Sequence, residues 1–245
     1  MFPKLILLCI LLQASFASHA QADRFKTPEK LVYDLTWTGI KAGTATLEFV
    51  SEGDKVKIIS TARSADWISA FYTVEDRVES TLTNTAQSQG WAQPVSYRMK
   101  IREGKHRRNK EVIFDPPKNK ATYIDYLKNE KKEFQLPSAA FDPISSFYYV
   151  RTLKLAVGET LYVTVFDNKK VWNVEVKVLR REKVSLPSGT FNTIVIKPLM
   201  KSEGIFYRKG DIFIWLTDDA KHIPVKMQTK APVGSITATL VRGAY

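Results

Sequence analysis

Few residues in this 245-residue chain have the types and spacing that chemistry requires. Asp218 and Asp219 are adjacent carboxylates close to Lys221 and His222, a grouping that suits acid–base work or a hard cation. Neighbouring side chains on an extended chain point to opposite faces, however, and aspartate is itself a favoured turn residue. The pair therefore reads as a turn. His106 lies among Lys100, Arg102, Lys105, Arg107, Arg108 and Lys110, a poor setting for a cation. No HExxH, Cys/His spacing or EF-hand loop occurs, so no metal site is expected. Ser188-Gly189 after Pro187 reads as a hairpin turn and not as a nucleophile elbow. Gly39 and Gly43 fit neither nucleotide fingerprint. No catalytic residue, metal or cofactor is expected, and the chain reads as non-enzymatic.

The first residues say where the remainder works. Lys4, an apolar run from Leu5 to Leu12, and small-x-small sites ending at Ala20 and Ala22 form a secretory signal peptide over 1–20, cleaved after 20 or 22. Cys9 falls inside the apolar run, badly placed for lipid attachment. It is the chain's one cysteine, so the exported protein has no disulfide, thiolate zinc site or thiol chemistry and must rest on its core. No later apolar run reaches the roughly 18 residues of a spanning helix, so the mature protein is not expected to be membrane-integral. The net charge of +12 suits solubility or an anionic surface.

The elements that would position any site are strands. Leu31, Tyr33, Leu35 and Trp37 alternate with polar residues, and Ala45, Leu47 and Phe49 return across a Gly39–Gly43 turn. Similar short segments follow to Val241, Ile205–Arg208 among them, separated by Gly, Asn, Asp and Pro. This pattern predicts a mainly β fold, a large curved antiparallel sheet or an open or closed barrel, forming a single domain over 23–245. Ser64–Tyr72 reads as a short helix with Ser64 as its cap. Asp142-Pro143 opens a clearer helix to Leu153. That helix, near 143–153, is apolar on nearly every side and is expected to lie buried across the concave face. Arg151 within it needs a carboxylate, with Asp76 or Glu79 as candidates, or else an exit to solvent at the helix end.

The segments YDLTWTGIKAGTATLEF, VEDRVES, FDPISSFYYVR, LPSGTFNTIVIKP and FIWLTDDAKHIPVKM resemble, in order, a bacterial family of exported proteins, domain-of-unknown-function family 3108 (DUF3108). The resemblance implies an envelope-directed β-rich domain and carries over no catalytic residues.

Two functional expectations follow. The first is a periplasmic, non-catalytic binder or carrier of an apolar or amphiphilic envelope ligand such as a lipid. Its acyl part would enter a groove between sheet and helix lined by Trp37, Phe147, Tyr148 and Trp215, with Arg151 nearby. The basic stretch Lys100, Arg102, Lys105, Arg107, Arg108 and Lys110 would meet an anionic envelope surface. Nucleic acid is not expected, because no aromatics interleave with these charges. The second is a structural scaffold with a filled concave face, acting on other proteins through exposed strand edges.

Overall fold

A computed structural model describes residues 28–83, 91–137, 140–199, 211–230 and 234–245. The expected signal peptide, the expected strand Ile205–Arg208 and the aromatics Phe206 and Tyr207 lie outside the described residues.

Among the described residues, period-two alternation produces fourteen strands. They are β1 (Glu29–Trp37), β2 (Ile40–Glu52), β3 (Lys55–Ser64), β4 (Glu75–Thr83), β5 (Pro94–Glu103), β6 (His106–Asp115), β7 (Lys120–Asp125) and β8 (Glu130–Gln135), then β9 (Thr160–Asp167), β10 (Lys170–Leu186), β11 (Gly189–Leu199), β12 (Ile212–Thr217), β13 (Pro224–Lys230) and β14 (Ser235–Ala244). Two helices interrupt them, α1 (Asp66–Ser69) and α2 (Pro143–Thr152).

All fourteen strands belong to one sheet in the order β8-β7-β6-β5-β4-β3-β2-β1-β14-β13-β12-β11-β10-β9, and every pairing is antiparallel. The sheet runs outward from β1 in both directions, so its edges are β8 and β9. Among the described residues no ladder joins these edges, yet their side chains meet. Phe134 and Phe166 lie 5.4 Å apart between ring centroids, and Lys169 Nζ stands 2.6 Å from Glu130 Oε2. The sheet is thus curled like a barrel and left open along one seam. A short parallel bridge adds Phe141 to the outer side of β9, where Phe141 N–H donates to Thr164 O at 2.9 Å and Phe166 N–H to Phe141 O at 2.8 Å.

The inward faces supply the core. On β1 the buried side chains are Glu29, Leu31 and Tyr33; Phe49, Ile58, Val78 and Leu82 continue it on β2 to β4, and Ile194, Ile196 and Leu216 close the other half. One glycine is needed for the sheet to pack. A Cβ on Gly43 would sit 2.2 Å from the carbonyl oxygen of Arg63 on β3, beside the bulge in the β1–β2 ladder.

Helix α2 lies against this core, and eight of its ten residues are buried. Its start is the expected one. Asp142 caps it, accepting from Ile144 N–H at 3.0 Å and Ser145 N–H at 2.9 Å, while Ser145 Oγ returns to Asp142 N–H to complete a capping box. Its buried hydroxyls bond back to the helix, Ser146 to Pro143 O and Thr152 to Tyr149 O. Helix α1 is shorter than expected, and its N-cap is Ala65 without a side-chain cap. Ser64 instead bonds Ser69 Oγ at 2.7 Å and accepts from Val74 N–H, because it is still paired as the last residue of β3. No helix of the described residues is long and apolar enough to cross a membrane.

Candidate functional site

The alternation of strand directions sorts the connections into two ends. The β1–β2 turn, α1, and the β5–β6, β7–β8 and β9–β10 turns share one end, here called the rim. The turns at 53–54, 116–119, 187–188 and 218–223 share the other.

At the rim, apolar side chains stand in solvent beside a cationic turn. Phe71 is 67% exposed, Ile40 60% and Trp67 47%, with Tyr72 and Trp37 also exposed. They form one physical surface. Trp67 indole N–H donates at 3.0 Å to Lys41 O, at the start of β2, which holds Trp67 beside the β1–β2 turn. The Trp67 and Phe71 rings are 6.2 Å apart. Tyr72 lies against Gly104 of the β5–β6 turn, so closely that a Cβ there would approach the ring to 2.7 Å. Gly104 N–H donates to Thr73 O at 2.8 Å, and Val74 pairs with Glu103. The β5–β6 turn itself exposes Lys105, His106 and Arg107. Arg107 folds back on the carbonyls of Gly104 and His106 at 2.6 and 2.8 Å. Glu75 stands between Arg63 and Arg102 at 3.7 and 3.5 Å, so basic groups also face the rim's acid.

The residues expected to line a groove do not converge. Trp37 is at the rim, whereas Tyr148 and Arg151 are fully buried on α2 and Phe147 is half-buried. Trp215 is buried on the opposite face of β12 from Ile214 and Leu216, with its indole N–H on Glu182 and Lys226 Nζ 4.5 Å from its ring centre. The space between helix and sheet is filled by protein: Tyr148 stacks on Phe49 at 5.3 Å, and Tyr149 on Phe141 at 4.7 Å. The six basic residues of the β5–β6 hairpin do share one region, but they divide in role. Lys110 is half-buried, and burial pulls its pKa down although Asp125 opposes this.

Arg151 finds a partner, though not an expected one. Its guanidinium donates to both oxygens of Glu29, at 2.9 and 2.7 Å, and to His222 O at 3.0 Å. Asp76 instead accepts from Arg102 N–H, and Glu79 bonds Arg77 at 2.5 Å. The reason is direction along β4: Asp76 lies near the rim, while α2 carries Arg151 toward the far end, where β1 begins. Glu29 precedes Leu31 by two positions and so shares its inward face. That spacing was the available signal. Burial alone would lower the Arg151 pKa, but the Glu29 carboxylate raises it above its ordinary value. Tyr148 O–H also donates to Glu29, at 2.8 Å. This cluster is closed on itself and offers a ligand no open group.

The turn expected at Asp218-Asp219 is present. Asp219 accepts from Lys221 N–H and His222 N–H, and Asp218 pairs with Arg181 at 2.7 Å. Among the described residues no group of three His, Cys, Asp or Glu side chains is placed to hold a metal. One hollow of about 20 Å³ lies between β5–β7 and the β9–β10 turn, lined by Tyr97, Arg108, Lys110 and Asp167, and is the size of a water.

Comparison with solved structures agrees with this architecture. The crystal structure of a β-barrel-like protein of domain of unknown function DUF1849 from Brucella abortus aligns over 88% of this chain and 96% of its own, at 15% identity and a TM-score of 0.53. That likeness shows a shared fold. A candidate exported protein with a YmcC-like fold from Bacteroides fragilis (10% identity, 89% and 95% covered, TM-score 0.34) and a candidate lipoprotein from Parabacteroides distasonis (9%, 89% and 96%, 0.37) are more distant. No curated protein matches the chain in sequence. Residues 32–241 match the model of the family described as protein of unknown function (DUF3108), and the chain belongs to that family.

Proposed function

We propose that this is an exported, periplasmic, non-catalytic protein that binds an amphiphilic envelope component at its rim. The observation that carries the reading is the continuous exposed surface from Ile40 through Trp67, Phe71 and Tyr72 to the cationic turn at Lys105 and Arg107. Apolar side chains rarely stand together in water without an occupant. The apolar part of a ligand would cover these rings at roughly 25 cal/mol per Å² removed from water. Its anionic part would meet the basic turn, where charge steers binding. Export is supported by the apolar segment at the start of the chain.

A ligand swallowed beneath α2 is a weaker version of the same reading, because aromatic stacking occupies that space. The scaffold alternative needs an edge that invites a partner strand. Edge β8 reads EKKEFQ, and exposed Lys131 and Lys132 are the usual device against strand addition.

Native mass spectrometry of the protein purified from its host envelope, followed by titration with lysophosphatidylglycerol below its micelle concentration, tests the proposal. An adduct that weakens in Phe71→Ser supports it. A bare mass with no uptake of the probe overturns it.

A further inference from the structure

We infer that the rim is a docking face for the surface of an anionic phospholipid bilayer. This rests on the rim being the binding site and names what it binds.

Three observations favour a bilayer over a single lipid molecule. The first is shape: the exposed rings belong to separate elements, Trp37 at the end of β1 and Trp67, Phe71 and Tyr72 in and just after α1, and among the described residues they line no hollow. Two hollows among the described residues have about 20 Å³ each, far below the several hundred Å³ of a small-molecule site. The second is chemistry: Trp67 and Tyr72 each present an apolar body and a polar edge, the pattern of side chains that settle at the headgroup level of a membrane. Phe71 and Ile40, with no polar atom, are the most exposed of the group and would go deepest.

The third is charge. Residues 100–110 contain six basic side chains and one carboxylate, and hydrogen bonds join their turn to the end of α1. Of the acids beside the rings, Asp34 is engaged by Lys41 at 2.7 Å and Glu75 by Arg63 and Arg102, while Asp66, next to Trp67, is exposed. A protein partner would instead need complementary carboxylates and a shaped surface. The bilayer demands only apolar depth and negative charge, and the rim offers the match to both.

The test is co-sedimentation of the exported protein with vesicles of phosphatidylethanolamine and phosphatidylglycerol, beside vesicles of phosphatidylcholine alone. Binding is expected to the anionic vesicles, and to fall with added salt. Phe71→Ser should weaken it roughly tenfold, and Lys105→Gln with Arg107→Gln by more than about tenfold. Ile40→Ser is a second variant, at a site 60% exposed, and circular dichroism checks that each variant folds. Brominated lipid should quench tryptophan emission, and Trp67→Phe should abolish most of that quenching.

Equal binding to phosphatidylcholine overturns the inference. So does an equal loss in Lys55→Gln with Lys183→Gln, which removes the same charge from the other end. Vesicle failure with lysophosphatidylglycerol still bound would overturn the bilayer and leave rim binding standing. Failure of both would overturn the rim as a site.

Discussion

Arg151 and Glu29, 122 positions apart in the chain, are clasped by two parallel hydrogen bonds, Nη1–Oε1 at 2.9 Å and Nη2–Oε2 at 2.7 Å. Both side chains are buried, at 0% and 3% exposure. The pair fastens α2 to the first residue of the first strand, and through His222 O to the β12–β13 turn. Removing one partner strands a charge in a dry interior. Arg151→Met should therefore cost roughly 3–5 kcal/mol, and Glu29→Leu with Arg151→Met should recover most of the loss. Urea unfolding of the two singles and the double variant measures the coupling; strict additivity would refute it.

Asp142 carries both the cap of α2 and a link to the sheet, since Ser80 Oγ donates to it at 2.6 Å. Asp142→Ala should lose about 2 kcal/mol or more, and Asp142→Asn distinctly less, because asparagine still caps. Burial raises the Asp142 pKa despite the hydrogen bonds from Ser80, Ser145 and Ile144. A carboxyl with a raised folded pKa binds a proton on folding, so its contribution falls as pH rises above its ordinary value of 3.8. The stability of Asp142→Asn relative to the parent should then grow between pH 4 and neutrality. Thermal melts across that range would show it.

Glu130 guards the open seam. Hydrogen bonds from Lys132 and Lys169 lower its pKa to about 2. A depressed carboxylate stabilises above its ordinary value of 4.5 and loses that contribution as pH falls toward 2. Glu130→Gln should speed amide exchange in β8 at neutral pH while leaving β1 and β2 protected. The difference from the parent should vanish at the acid end and shrink in high salt.

Two glycines should respond differently to alanine. At Gly104 the backbone is left-handed (φ +55°), and the obstacle is the edge of the Tyr72 ring, which can swing aside. Gly104→Ala should cost about 1 kcal/mol and alter the near-ultraviolet signal of Tyr72. At Gly43 the obstacle is the Arg63 carbonyl, held in a ladder. Gly43→Ala should cost more, roughly 1–3 kcal/mol. Melting temperatures that reverse this order would contradict the packing described.

The strands were legible because a half-buried strand writes its period into the sequence. Leu31, Tyr33, Leu47 and Phe49 show the faces of β1 and β2, and Asp142-Pro143 announces α2 by local capping chemistry that needs no distant partner. Strand ends were less legible. β10 runs on to Leu186 through Arg180, Arg181, Glu182 and Lys183, and β6 begins at His106 inside the basic stretch, because ladder hydrogen bonds carry polar residues that alternation alone would stop at. The groove expected around Tyr148 and Arg151 failed for the same kind of reason: an aromatic suited to line a cavity is equally suited to fill one.

Local physics, read along the chain, determined the β character, the buried helix and its cap. What the tertiary structure decided was every relation across distance. It chose Glu29 and not Asp76 or Glu79 for Arg151, brought the β8 and β9 edges together at Phe134 and Phe166, and set Phe71 and Trp67 beside Lys105 at one end. Such pairings depend on strand order and on which end each connection occupies. Alternation fixes a side chain's face but carries no information about its neighbours in the sheet.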